Sequence, residues 1–220
     1  MTRLASNLQD VQTRIHRACE AASRNPDAIE LLAVSKYHSI EAIRELANLG
    51  LQRFGENYVQ EGSSKASALP DLEFVFIGPL QRNKAKPALT HFREIMTLDR
   101  PELATRLRHL AQELDVVRGV WIQVDLWGEA TKMGGCTAEE IPMILDALGG
   151  DPRLPFRGFM TIPPPDRPKA FKQMAHLRET WQQKTGECLL LSMGMSHDLE
   201  AAIQAGTDQV RIGTALFGDR

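Results

Sequence analysis

IELLAVS, Ile29 to Ser35, is the stretch on which the reading of this chain turns. It is almost unbroken in apolar character and too short for a stable helix, as expected of a strand buried on both faces. A helical pattern follows from about Ile40 to Leu49, with Ser39 as N-cap and Gly50 as stop. The alternation then repeats. Apolar runs recur at Leu51–Gly55, Phe74–Gly78, Ile95–Leu98, Val116–Leu126, Phe156–Ile162, Cys188–Met193 and Gln209–Ala215. Helical patterns lie between them. One opens around Glu56 and one is capped by Asp99 with Glu102 three residues on. Another starts at Thr137 with Glu140, with Pro142 inside it, and another runs from Ser196 to Ala205. Ahead of all this, Leu4, Leu8, Val11, Ile15 and Ala18 mark a docked first helix.

Strands alternating with helices give a parallel sheet covered by helices, and eight units predict a closed (β/α)8 barrel. The fold class is therefore α/β, a single-domain barrel over 1–220 with an extra N-terminal helix; an open doubly wound sheet is the alternative. The 220 residues lie near the lower size limit of about 200 for such barrels. Hydrophobic residues make up 43% and charged residues 25%, which excludes a disordered chain. A net charge of −2 gives no reason to expect nucleic acid or an anionic membrane as partner. No apolar run is long enough to span a bilayer. The three cysteines form no CxxC and the six histidines no HxxxH pair, so a zinc site is not expected and a reducing, cytoplasmic setting is.

In such a barrel the chemistry sits at the C-terminal ends of the strands. Lys36 closes the first strand, where an apolar setting can make an amine a carbonyl nucleophile; a solvated strand-ending lysine looks the same. The loops after strands seven and eight are frequent phosphate sites. Here they carry Ser196, read as the cap of the following helix, and Gly213 with Thr214. Arg211 lies on the eighth strand itself, where an internal ion pair is the plain reading. Asn57, Lys132 and the Arg82, Lys84, Lys86 cluster are weaker candidates. No GxGxxG, Walker A or GxSxG sequence occurs.

Seven stretches, taken together and in order, resemble one family. They are LLAVSK (31–36), FGENYVQE (54–61), FIGPLQRNK (76–84), IQVDLWGEATKMG (122–134), RGFMTIPP (157–164), LSMGMSHDLEAAIQAG (191–206) and VRIGTALFG (210–218). The chain is similar to the pyridoxal-phosphate homeostasis proteins, relatives of the alanine-racemase barrel of fold-type III. The resemblance implies pyridoxal 5′-phosphate (PLP) held as a Schiff base on Lys36. It implies phosphate contacts from Ser196, Gly213 and Thr214, and Arg211 against the pyridine nitrogen. Ser192 would support Arg211, and Asn57 would line the pocket. Val75, Tyr37 and His38 depart from the family pattern.

Two functions follow from the resemblance. One is a PLP carrier that buffers the cofactor and passes it to apo PLP-dependent enzymes. The other is an amino-acid racemase or decarboxylase. Racemase relatives carry a second domain that supplies a tyrosine and a dimer partner. This chain stops soon after strand eight and holds only Tyr37 and Tyr58, so a non-catalytic monomer is expected. A cofactor-free phosphosugar barrel enzyme is the third, more distant class.

Overall fold

The computed structural model describes residues 1–128, 134–164 and 169–218. Lys132 lies outside them. The eight strands are β1 (Glu30–Val34), β2 (Arg53–Glu56), β3 (Glu73–Phe76), β4 (Glu94–Leu98), β5 (Gly119–Gln123), β6 (Phe156–Met160), β7 (Leu190–Ser192) and β8 (Gln209–Ile212). All pair in parallel with their sequence neighbours, and β1 also pairs with β8, which closes the barrel. Leu32 stands opposite Arg211, and Val34 opposite Gly55.

Side chains alternate across this closed sheet. Leu32, Val75, Ile77, Met96, Trp121 and Met160 fill the barrel. Their neighbours point outward into a second, larger apolar shell beneath the helices. Burying a leucine, isoleucine or phenylalanine fully is worth about 1.5–3 kcal/mol. Both faces of the strands are therefore committed to packing, which is why the strands read as continuous apolar runs.

The helices are α1 (Arg3–Ala21), α2 (Ile40–Asn48), α3 (Val59–Ala68), α4 (Ala85–His91), α5 (Pro101–Leu114), α6 (Ile141–Leu148), α7 (Ala170–Thr185), α8 (Leu199–Gln204) and α9 (Thr214–Phe217). The stripe from Leu4 to Ala18 buries α1 as its spacing predicts, against α8, α9 and α2. Ser39 caps α2, its hydroxyl accepting from the Ala42 N–H at 3.3 Å.

Several boundaries differ from the sequence reading. Glu56 ends β2 and α3 opens three residues later. The cap of α5 is Arg100, because Pro101 takes the first helical position and forces the residue before it into extended backbone. Asp99 pairs with Arg100 instead. Thr137 and Glu140 keep half of a capping box: the Thr137 N–H donates to Glu140 Oε2 at 2.8 Å, but the helix begins only at Ile141. Pro142 falls in its first turn, where a proline costs no hydrogen bond. Asp198, not Ser196, is the cap position of α8.

Candidate functional site

The C-terminal rim of β1, β7 and β8 collects the residues of interest. β1 ends at Val34, and the Ser35 N–H still donates to the Gly55 carbonyl at 3.0 Å, so the ladder reaches the residue before Lys36. Lys36 is half-buried. Among the described residues its amine has no hydrogen-bond or ion-pair partner. The next residue, Tyr37, bends the chain away with φ of 66°, a left-handed conformation that costs a non-glycine residue roughly 1–2 kcal/mol.

Arg211 occupies the neighbouring strand, inside the barrel and only 4% exposed. Among the described residues it pairs with no carboxylate, where the plain reading was an internal ion pair. One guanidinium nitrogen donates to the Ser192 hydroxyl at 2.7 Å and to the Ser192 carbonyl at 2.8 Å, and the other donates to the Thr161 carbonyl at 2.7 Å. Three of its five N–H donors are thereby taken by neutral oxygens, which fixes the guanidinium plane. Burial pushes its pKa down to about 10, with Asp198 opposing, so it stays a cation at neutral pH. Ser192 passes the chain on, its hydroxyl donating to Gln209 Oε1 at 2.7 Å.

Ser196, Gly213 and Thr214 come together. The Ser196 hydroxyl leaves its expected capping role and accepts from the Ala215 N–H at 3.3 Å, so it ties the loop after β7 to the start of α9. Thr214 is exposed at that start. Gly213 has φ of −112°, open to any residue, and a Cβ there would make ordinary contact with the Val34 carbonyl at 3.4 Å. Its bare backbone therefore leaves room beside Val34 that protein atoms do not require.

Asn57 follows β2 and leaves its side-chain oxygen buried without a partner among the described residues. It lines a cavity of about 340 Å³ with Tyr58, Gln60, Pro79, Gln81 and Lys84. Of the other candidates only Lys84 borders that cavity; Lys36, Ser192, Ser196, Arg211, Gly213 and Thr214 do not. Of the basic cluster, Lys86 pairs with Glu113 at 2.7 Å on the surface.

One group was not legible as a site in the sequence. Lys65 on α3 is buried, and its ammonium donates to Glu56 Oε1 at 2.7 Å, Glu61 Oε1 at 2.6 Å and the Ser35 carbonyl at 2.7 Å. The Ser35 hydroxyl also donates to Glu56 Oε1 at 2.7 Å. Burial drives the Glu56 pKa up against the pull of Lys65 and Ser35. The only signal in the sequence was the Glu61–Lys65 spacing of four, which usually marks a surface pair. Gly62 buries it: a Cβ there would lie 2.4 Å from the Phe92 ring, so the glycine lets α3 settle inward.

Among the described residues no group of histidine, cysteine or acidic side chains could hold a metal ion. Cys136 is buried, and burial with Glu140 and Asp99 pushes its thiol up to about 12, which makes it a poor nucleophile.

The fold and this rim define a class, the alanine-racemase type of barrel: the family described as alanine racemase, N-terminal domain, matches residues 3–220. A pyridoxal phosphate homeostasis protein of Pseudomonas aeruginosa is 43% identical over 224 residues, covering all of this chain and 97% of that protein. Its Escherichia coli counterpart is 39% identical, covering all of this chain and 98% of that one. The chain belongs to the pyridoxal phosphate homeostasis protein family. The solved structure of PipY from Synechococcus elongatus PCC7942 with PLP bound superimposes with a TM-score of 0.81. It is 35% identical and covers 93% of this chain and all of that one. An alanine racemase of Clostridium difficile 630, at 15% identity and a TM-score of 0.78, shares the fold over 56% of its own length.

Proposed function

We propose that this protein binds PLP through a covalent bond from Lys36 Nζ to the cofactor's aldehyde carbon, and that it stores and delivers the cofactor without turning over amino acids. The observation that carries this reading is the pair of cations at β1 and β8: a half-buried amine just past the end of β1 and a rigid guanidinium on β8, neither of them paired to a carboxylate among the described residues. PLP supplies an aldehyde that amines capture reversibly, a pyridine nitrogen and a phosphate dianion. The residues fit all three. Lys36 offers the amine. Arg211 has donors to spare and, as a permanent cation at neutral pH, can only donate to the ring nitrogen. Ser192 holds Arg211 in place. Ser196, Thr214 and the bare backbone of Gly213 suit the phosphate, and Asn57 borders the rim with an unused acceptor.

In this reading the chain is one domain over 1–220, acts as a monomer in the cytoplasm, and has PLP and apo PLP-dependent enzymes as its partners. Among the described residues no helix is long and apolar enough to cross a membrane.

Borohydride reduction of PLP-loaded protein followed by peptide mapping tests the attachment. The adduct is expected on Lys36 and absent in Lys36→Ala, whose fold should survive because a half-buried lysine without partners adds little to packing. An adduct on Lys132 would overturn the assignment. Solvent-deuterium incorporation at Cα of D- and L-amino acids tests the carrier role. Turnover at ~1 s⁻¹ or faster, the rate of an ordinary enzyme, would make racemase or decarboxylase the better reading.

A further inference from the structure

We infer that Glu56, Glu61 and Lys65 are positioning residues for Lys36, a clamp that grips the backbone on both sides of it. The inference rests on the proposed role of Lys36. On the near side, the Ser35 carbonyl accepts from Lys65 Nζ at 2.7 Å and the Ser35 hydroxyl donates to Glu56 at 2.7 Å. On the far side, the Tyr37 N–H donates to Glu61 Oε1. Lys65 joins the two sides, since it also donates to both carboxylates. Lys36 is the one residue between the gripped positions.

The cluster makes little sense as a source of stability. Glu56 is fully buried and Lys65 is 6% exposed. Taking such charges out of water costs about as much as their attraction returns, and a well-packed apolar replacement is often neutral or better. Glu56 Oε2 is even left buried with no hydrogen-bond partner among the described residues. What the cluster does supply is shape. It holds Tyr37 in the left-handed turn, and that turn sets where the Lys36 side chain leaves the strand. A misplacement of about 1 Å at a reacting group can cost on the order of 100-fold in rate.

Two measurements on the full chain test this. The first needs no cofactor: hydrogen exchange at the Tyr37 amide of the apo-protein, expected to be protected in the wild type and in Glu61→Gln but not in Glu61→Ala. The second is the rate at which added PLP becomes borohydride-trappable on Lys36. Glu61→Ala is expected to slow this by roughly 10-fold or more, and Glu61→Gln, which keeps an acceptor for the Tyr37 N–H, to stay within about threefold of wild type. Lys65→Met, which removes the contact to the Ser35 carbonyl and the link between the two carboxylates, should slow trapping as well. If Lys65→Met does not fold, the Glu61 pair decides alone, because Glu61 is partly exposed. Trapping at the wild-type rate in folded Glu61→Ala overturns the clamp, whether or not Tyr37 loses protection. So does a Glu61→Gln variant as slow as Glu61→Ala. A wild type that traps no PLP on Lys36 overturns the proposed function instead.

Discussion

Two arginines inside this barrel face opposite fates. Arg53 stands at the N-terminal end, where Glu30, Arg53, Glu73 and Glu94 are the first residues of β1 to β4. Its guanidinium lies 2.5 Å from Glu30, 3.0 Å from Glu94 and 3.1 Å from Glu73, the last misaligned for a hydrogen bond. Glu94 also accepts from the Trp121 indole at 2.9 Å. Burial works against the Arg53 charge, but the three carboxylates outweigh it and its pKa rises. Arg211, near the other end, has only neutral oxygens as partners among the described residues, and its pKa falls. One end of the barrel spends its charge on itself. The other holds a buried cation on neutral oxygens, its charge matched by no carboxylate among the described residues.

The contrast yields graded expectations. Arg53→Met takes from Glu30, Glu73 and Glu94 the cation they share at the barrel floor, leaving, among the described residues, Glu73 only Arg93 at 3.8 Å and Glu94 the Trp121 indole. It should cost about 3 kcal/mol in urea unfolding, the low end for a broken buried pair because the side chain is 23% exposed, while PLP affinity of the folded protein stays put. A matching loss of affinity would break the division between the two ends. Arg211→Met should do the reverse. Removing an uncompensated buried charge offsets the lost hydrogen bonds, so stability should move by less than about 1 kcal/mol. PLP binding, read by titration, should weaken by roughly 1.5–3 kcal/mol, the usual worth of a hydrogen bond to a charged group.

Ser196→Ala removes a neutral hydroxyl that already serves the Ala215 N–H. It should weaken PLP binding by about 1 kcal/mol and pyridoxal without phosphate hardly at all. Equal losses for both would show that Ser196 acts away from the phosphate.

The smallest effect belongs to neither end. Glu200 on α8 accepts from Arg14 on α1 at 2.7 Å, and that bond holds its pKa below the ordinary 4.5. A carboxylate lowered in this way stabilises the fold above its unfolded value, and the contribution is lost as pH falls through the folded one. Glu200→Gln should therefore cost about 0.2–1 kcal/mol at pH 7, discounted for exposure, and nothing once both forms are protonated. Glu56 has the opposite sign: its raised pKa favours the fold below the ordinary value, and that advantage fades as pH rises.

The barrel itself was readable because strands buried on both faces leave a plain record in residue type. Helix starts were less so. Asp99 and Ser196 are both good caps by chemistry, yet Pro101 displaced the first and a tertiary contact with Ala215 recruited the second. Of the rim, Lys36, Ser196, Gly213 and Thr214 could be proposed from strand ends alone, and the family resemblance gave Arg211 its ring-facing role. That its described partners are all neutral could not be read, since it depends on which oxygens the barrel brings near. Lys65 was hidden for a similar reason: four residues from Glu61 it looks like a surface cation, and only the glycine between them, set against Phe92, takes it inside.

α1 packs against α9, which opens at Thr214 beside the rim. Arg3 donates to the Phe217 carbonyl at 3.2 Å and Asn7 to the Leu216 carbonyl at 2.7 Å, the latter across 209 positions of chain. β1 likewise meets β8. Contacts between such distant segments form late, since the chain entropy of closing so large a loop must be met before they return anything. On the ribosome, Lys36 emerges long before Arg211 and Gly213 exist. A nascent chain thus carries Lys36 without its β8 neighbours, and this rim is complete only when the last strand slots in beside the first.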